Sequence, residues 1–243
     1  MDETLDGLSV LDRLDIAAEN GANMGVVLDL MNQSFQETVE WKNADPENPF
    51  LWWRHFKEKE KQLARGLIRV GNELTTGEAV DAVVTLPESA TWLSDHIRPG
   101  DFGGAKKFLV LRQQFGGVPI GVRSYTKNSD GTMRKERQPR QKVNMYADFQ
   151  LIQGLRDEEI GTVLILDDVA AEKSSLEDVA EAFKGAGAKR IIGVVGVAKL
   201  MQLRRAEAIS GVSFLDEFYA CVQVERIENR KPVVTRWWEG TGV

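Results

Sequence analysis

Helical spacing dominates the first third of the chain. Apolar residues recur at intervals of three or four on both sides of Asn20-Gly21, a dipeptide that favours a break between two helices. Residues 45–49 predict a loop, and one apolar helix face follows it. The positions of that face are Trp52, Phe56, Leu63, Leu67, Val70 and Leu74. We therefore expect residues 1–78 to form a helical N-terminal subdomain.

Beyond residue 80 the pattern changes to short apolar runs that alternate with helical stretches. The runs predict strands at residues 81–86, 118–122, 145–152, 162–169 and 190–197. Helices are expected between them, one of which resumes at residues 105–114 and one of which ends at Gly185 and Gly187. This alternation indicates an α/β fold with a doubly wound, mostly parallel sheet. Residues 219–227 and 233–238 predict a C-terminal β-hairpin, so we divide the chain into 1–78, 79–215 and 216–243.

One strand carries the most informative chemistry. Its apolar run ends in two adjacent carboxylates, Asp167 and Asp168. An unbroken apolar run predicts a strand buried on both faces, and open α/β sheets bind ligands at the carboxyl ends of their strands. A short polar segment then leads into a helix that begins near Ser174, where free N–H groups favour an anion. Carboxylates for hydroxyl groups beside amides for phosphate predict a site for a phosphorylated sugar.

Charge and composition narrow the class of protein. The 243 residues carry a net charge of −6, which argues against a general nucleic-acid-binding protein. Cys221 is the only cysteine and there are two histidines, so we expect neither an internal disulfide nor a cysteine- or histidine-rich metal centre. No apolar run approaches the roughly 20 residues of a membrane span. Because the acidic start is also unlike a signal peptide, we expect a cytoplasmic protein without a membrane partner.

Residues 123–142 are the exception to this acidic balance. Seven basic and two acidic residues give the segment a charge of +5. Such a segment is either a solvated surface loop or a loop that closes over a polyanion, and the sequence leaves both interpretations open. Binding of nucleic acid through this segment is a further hypothesis, which predicts that binding weakens steeply with salt.

Residues 80–215 resemble the type I phosphoribosyltransferase superfamily. The apolar strand with its acidic pair, residues 163–169, is similar to the signature of that superfamily. Three flanking segments resemble the orotate phosphoribosyltransferases and the ComF-like group: residues 118–127, Ile152-Gln153-Gly154 and Gly185-Ala186-Gly187-Ala188. The resemblance implies transfer of a 5-phosphoribosyl group from phosphoribosyl pyrophosphate (PRPP) to a nucleobase-like or other nitrogenous acceptor, with release of pyrophosphate. It also implies Mg²⁺ as a cofactor and a homodimer.

The resemblance further implies roles for named residues. Asp167 and Asp168 would hold the ribose hydroxyls and, indirectly, the Mg²⁺ ion. Arg123 and Lys127 would neutralise the departing pyrophosphate, because an oxocarbenium-like transition state leaves a multiply charged group. The residues that would approach phosphate are Pro87, Glu88 and Ser89 for pyrophosphate, and Ala171, Glu172, Lys173, Ser174 and Ser175 for the 5′-phosphate.

The phosphate segment departs from the family pattern. Ala171-Glu172-Lys173 stands where the family carries Thr-Thr-Gly or Thr-Ala-Gly, so the glycine that lets backbone approach phosphate closely is missing. Lys173 offers a compensating charge. Two functions therefore stay open: an active phosphoribosyltransferase, or a catalytically impaired protein of the same fold that senses PRPP or a nucleotide. A response-regulator receiver also carries an acidic pair after a strand, but we expect the segment from Asp168 to Val243 to be too short for one of about 100 residues.

Overall fold

The computed structural model describes residues 7–38, 40–41, 51–52, 60–86, 91–109, 118–122, 124–127, 133–136, 143–147, 160–170, 174–199, 214–228 and 231–235. Its helices are α1 (Val10–Glu19), α2 (Met24–Thr38), α3 (Glu60–Leu74), α4 (Thr91–His96) and α5 (Ser174–Gly185), with a 3₁₀ turn at Asp101–Gly104. Its strands are β1 (Glu40–Trp41), β2 (Leu51–Trp52), β3 (Val80–Thr85), β4 (Lys106–Leu109), β5 (Val118–Val122), β6 (Ser124–Lys127), β7 (Met133–Glu136), β8 (Val143–Ala147), β9 (Thr162–Ala170), β10 (Arg190–Lys199), β11 (Glu217–Glu228) and β12 (Lys231–Thr235). No helix within these ranges is long and apolar enough to cross a bilayer.

A six-stranded sheet forms the centre of the fold, with the strand order β12-β11-β10-β9-β3-β4. Every neighbouring pair is parallel except β11 and β12, which run antiparallel. Right-handed crossovers that leave the centre in opposite directions place α4 and α5 on opposite faces of the sheet. The α/β fold with a doubly wound, mostly parallel sheet is therefore confirmed.

The strand that carries the acidic pair lies at the middle of this sheet. β9 pairs with β3 on one side and with β10 on the other. Its residues Val163, Leu164, Ile165 and Leu166 have no accessible surface. Because successive side chains of a strand point to opposite faces, burial of four consecutive residues means that both faces are covered. The prediction of a strand buried on both faces is correct.

Helix α3 is the central helix of the N-terminal region. On one side a Cβ at Gly66 would lie 3.1 Å from Leu14 Cδ1 and from Met31 Sδ. On the other side a Cβ at Gly71 would lie 3.3 Å from Leu164 Cδ2 of β9. The absence of side chains at these two glycines lets α1, α2 and the sheet approach α3 closely.

The helical region and the sheet share one hydrophobic core. The Asn32 side-chain amide of α2 donates to the Leu28 carbonyl at 2.9 Å and to the Cys221 carbonyl of β11 at 3.1 Å. The predicted break at Asn20-Gly21 is confirmed, since α1 ends at Glu19 and Gly21 has a φ of +67°. The boundary at residues 78 and 79 stays a prediction about domain organisation.

Three local predictions need correction. Trp52 lies in β2 and not on the face of α3, because β2 pairs with β1. The helix expected from residue 105 is wrong at its start, where β4 pairs with β3 at an edge of the sheet. The alternation of strands and helices predicts that β5 joins the main sheet, but it pairs antiparallel with β8 outside that sheet. Each error has one cause, since short apolar runs take their conformation from pairing partners distant in sequence.

The C-terminal hairpin is confirmed as β11 and β12, and its pairing makes it part of the main sheet. β11 pairs parallel with β10 along most of its length, so it is a full member of the main sheet. β12 forms the edge beside it. Residues 236–238, which the sequence also assigned to the hairpin, lie outside the described residues.

At the amino-terminal edge of the sheet, one carboxylate joins two strands. Asp81 Oδ2 of β3 accepts hydrogen bonds from the Gly161 N–H at 2.7 Å and from the Thr162 N–H at 2.9 Å. Gly161 directly precedes β9, and Thr162 is its first residue, where the ladder with β3 begins at the pair Val80–Thr162. Asp81 therefore aligns the two central strands where they enter the sheet.

A group of ion pairs lies at the same edge. Arg190 at the start of β10 pairs with Glu78 and with Glu217, and Glu217 also accepts a hydrogen bond from the Tyr219 hydroxyl. Burial and this hydrogen bond raise the pKa of Tyr219 to about 12. The charges at this edge thus join elements that lie far apart in sequence.

Lys184 and Asp216 form a second ion pair beside them. Lys184 Nζ lies 2.8 Å from Asp216 Oδ2, which also accepts the Ile191 N–H at 2.6 Å. Partial burial acts to raise the pKa of Asp216, but the hydrogen bonds from Lys184 and Ile191 outweigh it and lower this pKa below the ordinary value of 3.8. The pair ties α5 to the segment that enters β11.

We expect Asp81→Ala to lower the free energy of unfolding by about 1–3 kcal/mol, because two N–H groups lose a charged acceptor. Asp81→Asn should cost less, since its amide oxygen still accepts. Urea unfolding followed by circular dichroism measures both variants. Equal stability of Asp81→Ala and the wild type would contradict a role for this carboxylate in strand alignment.

We expect Lys184→Gln to be less stable than the wild type at neutral pH. The difference should shrink as the pH falls below 3.8 through the lowered pKa of Asp216, because a lowered pKa stabilises the fold only while the carboxyl is ionised. Urea midpoints of both proteins over a series from neutral to acidic pH test this. A difference that does not change with pH would show that the ion pair is not its source.

Candidate functional site

The centre of the sheet contains a topological switch point. From β3 the chain moves outward to β4 on one side, whereas β9 lies on the other side and leads toward β10. In open parallel sheets ligands bind where the strand order reverses, outside the carboxyl ends of the strands. In this chain that place lies between the ends of β3 and β9.

β9 extends further than β3 at this edge. At this end the Leu86 N–H donates to the Leu166 carbonyl at 3.3 Å. β9 continues to Ala170, while β3 ends at Thr85. Asp167 and Asp168 directly follow the last register pair between these two strands, Thr85 and Leu166.

The two aspartates satisfy part of this backbone with their own side chains. Asp167 Oδ1 accepts the Asp168 N–H at 2.9 Å, and Asp168 Oδ1 accepts the Val169 N–H at 2.7 Å. Asp167 is 5% exposed and Asp168 is 8% exposed. Carboxylates are rarely this buried unless a partner or a ligand compensates the loss of hydration. Both predicted residues thus lie at the edge where the sequence placed them, in an environment that strengthens hydrogen bonds.

A helix begins four residues after β9. α5 starts at Ser174, and its first turn contains Ser175, which is half-buried. The helix has 12 residues, which is long enough for its dipole and free N–H groups to attract an anion at this end. Glu177 in the first turn binds the segment that precedes β11, since its Oε2 accepts the Phe214 N–H at 2.7 Å. The helix start is thereby tied to the connection that leads into β11.

The other predicted site residues are placed only in part. Lys127 ends β6, which pairs antiparallel with β7, so part of the basic segment forms a two-stranded sheet. The remaining predicted residues lie outside the described part of the chain: Arg123, Pro87, Glu88, Ser89, Ala171, Glu172 and Lys173. Their proximity to Asp167 and Asp168 stays a prediction.

The donor chemistry at the end of β9 suits a hard cation. Carboxylate oxygens are the protein ligands that Mg²⁺ prefers, and Mg²⁺ commonly takes one or two of them together with waters and substrate phosphates. The described residues contain no group of three or more histidine, cysteine or acidic side chains arranged around a metal. Asp167 and Asp168 therefore fit Mg²⁺ as part of a shared ligand set.

The sequence does not predict two residues that lie near the acidic pair. The position of Glu177 in the first turn of α5 follows from the helix itself, but its contact with Phe214 depends on the connection to β11. In the sequence Thr85 is one residue of a predicted strand. In the structure its register partner is Leu166, directly before the acidic pair. No local signal identifies either contact, because each joins segments distant in sequence.

A cavity of about 280 Å³ lies elsewhere, between α2 and β12. Asp29, Asn32, Gln33, Gln36 and Val234 line it, and none of them belongs to the predicted site. β12 is separated from β9 by β11 and β10, so the cavity lies roughly 14 Å to the side at the usual strand spacing. It is therefore distinct from the switch point.

Solved structures resemble this chain over most of its length, although no protein-family model and no curated protein matches its sequence. The adenine phosphoribosyltransferase of Trypanosoma brucei, in complex with AMP, pyrophosphate and ribose-5-phosphate, is 13% identical with a TM-score of 0.54, over 78% of this chain and 79% of that chain. The enzyme of Giardia lamblia, complexed with 9-deazaadenine, is 11% identical with a TM-score of 0.51, over 78% and 96%. That of Leishmania tarentolae is 15% identical with a TM-score of 0.51, over 79% and 87%.

We expect Asp167→Ala to be less stable than Asp167→Asn by about 1 kcal/mol, because alanine leaves the Asp168 N–H without its acceptor whereas an asparagine oxygen replaces it. Urea unfolding of the two variants measures the difference. Identical midpoints would show that the hydrogen bond to the Asp168 N–H contributes nothing to the fold.

Proposed function

We propose that this chain, which has the fold of the type I phosphoribosyltransferases, transfers a 5-phosphoribosyl group from PRPP to a nitrogenous acceptor and releases pyrophosphate. The observation that carries the proposal is the position of Asp167 and Asp168. They are buried carboxylates at the switch point of the sheet, in the strand that precedes α5. This combination offers acceptors for sugar hydroxyls on one side and N–H donors for phosphate on the other.

The buried carboxylates favour recognition of ribose. Hydroxyl groups that donate to an ionised carboxylate form charge-assisted hydrogen bonds, which are stronger than neutral ones. Exclusion of water around Asp167 and Asp168 strengthens them further, because the local dielectric constant is low. In the proposal these two residues bind the 2′- and 3′-hydroxyls and thereby orient the anomeric carbon toward the acceptor.

The start of α5 would receive the 5′-phosphate. In the proposal, free N–H groups at the helix start would donate to its oxygens, together with Ser174 and Ser175. Lys173 would add a positive charge and Glu172 a negative one. The proposal therefore depends on Lys173 and the helix outweighing Glu172 at this end of the ligand.

The departing pyrophosphate carries the largest negative charge that the site would have to neutralise. In the proposal Arg123 and Lys127 neutralise that charge, and Pro87, Glu88 and Ser89 approach the pyrophosphate from the end of β3. Mg²⁺, when bound, would supply further positive charge to the leaving group. Asp167 and Asp168 would also stabilise the positive charge that develops on the ribose ring, since carboxylates close to an oxocarbenium-like centre favour it electrostatically.

A second candidate is a protein of the same fold that binds PRPP or a nucleotide without turnover. The sequence Ala171-Glu172-Lys173 favours it, because it lacks the glycine that permits close approach of phosphate. Both candidates place the ligand at Asp167 and Asp168, so they differ in turnover and not in location.

The proposal extends to the rest of the chain. Residues 1–78 and the C-terminal hairpin would select the acceptor, and the protein would act as a homodimer in the cytoplasm. Nucleic acid is not a partner in this proposal, because the net charge is −6. Size-exclusion chromatography with light scattering tests the homodimer.

We expect release of pyrophosphate when PRPP, Mg²⁺ and the correct acceptor are supplied. The assay takes adenine, guanine, hypoxanthine, uracil and orotate in turn, with calorimetry of PRPP binding in parallel. Turnover with any acceptor supports the enzyme, and binding without turnover supports the sensor. Absence of both contradicts both candidates.

Asp167→Asn and Asp168→Asn should weaken PRPP binding by at least tenfold, because each loses the charge that strengthens a ligand hydrogen bond, about 1.4 kcal/mol or more. Asp81→Asn is the matched control, since it neutralises a carboxylate at the opposite edge of the same sheet. Equal losses in all three variants would show that the effect is not specific to the proposed site.

A further inference from the structure

Thr85 places an unpaired hydroxyl at the switch point. It is the last residue of β3 and has no accessible surface. Its Oγ1 has no hydrogen-bond partner in the described part of the structure. Buried polar side chains are normally hydrogen-bonded, so an exception beside a candidate ligand site calls for an explanation.

Packing alone does not explain a threonine here. Valine has nearly the same shape, suits a buried strand and carries no hydroxyl to desolvate. The neighbouring strand residues Val83 and Val84 show that this part of β3 accommodates valine. The hydroxyl therefore reduces stability in the unliganded protein, and such local costs are expected at functional sites.

The register places Thr85 close to the acidic pair. Thr85 is opposite Leu166 across the β3–β9 ladder. Paired residues of neighbouring strands share a face of the sheet, and the residue two positions further along shares it too. Thr85 and Asp168 therefore lie on the same face as diagonal neighbours. Neighbouring strands lie about 4.8 Å apart and two residues along a strand span about 6.6 Å, so one ligand oxygen at this end of the strands is within reach of both side chains.

We propose that Thr85 is a ligand-binding residue of the candidate site, whose hydroxyl hydrogen-bonds an oxygen of the phosphoribosyl ligand on the same face of the sheet as the Asp168 carboxylate. The inference rests on the proposed function, because it names a further contact for the same ligand. Since the hydroxyl is inaccessible in the unliganded protein, the contact forms only after side chains at the end of β3 shift on binding.

The test compares ligand affinity with stability in the chain of 243 residues. Thr85→Val should unfold at a urea concentration equal to or above that of the wild type, because an unpaired buried hydroxyl is removed. The same variant should bind PRPP with Mg²⁺ about threefold to tenfold more weakly in calorimetry, as expected for loss of one hydrogen bond. Thr85→Ser, which keeps the hydroxyl, should bind PRPP nearly as well as the wild type.

Thr162→Val is the matched control, since Thr162 is a buried threonine of the same sheet at its opposite edge. It should leave PRPP affinity unchanged. If Thr85→Val fails to fold, Thr85→Ala gives the same comparison with Thr85→Ser. Unchanged affinity in Thr85→Val, in a protein whose wild type binds PRPP, overturns this inference alone. A wild type that does not bind PRPP overturns the proposed function and this inference together.

Discussion

Burial of β9 on both faces, between β3 and β10, is the constraint on which the rest of the structure depends. A strand in this position exposes almost no side chain to water, and its backbone groups need partners on both sides. Polar residues enter β9 only after its last register pair with β3, Thr85 and Leu166. There Asp167 accepts the Asp168 N–H and Asp168 accepts the Val169 N–H.

The two edges of the sheet differ in how their polar groups are satisfied. At the amino-terminal edge, Asp81 accepts two N–H groups and Arg190 pairs with Glu78 and Glu217. At the carboxyl edge, two buried carboxylates lie beside the unpaired hydroxyl of Thr85. Polar groups paired within the protein stabilise a fold, whereas a buried hydroxyl without a partner beside two carboxylates is typical of a ligand site. This difference supports a role of the amino-terminal edge in stability and of the carboxyl edge in ligand binding.

Most central elements could be predicted from the sequence because their signals are local. The apolar run of β9, the helix of α5 and its end at Gly185 and Gly187 each follow from residues close together in the chain. The position of β4 could not be predicted, since its four residues become a strand through pairing with β3. The same reason applies to β5, whose apolar run fits equally well into the main sheet or into its pair with β8.

The sequence by itself determined the kind of site: an acidic pair at the end of a buried strand, followed by the start of a helix. Hydrophobic periodicity and the order of residues are sufficient for that, because these features adjoin one another in the chain. Only the tertiary structure decided that β3 ends beside this pair, that Thr85 shares a face with Asp168, and that β11 belongs to the main sheet. Pairing between distant strands depends on the whole topology, and no single segment encodes it.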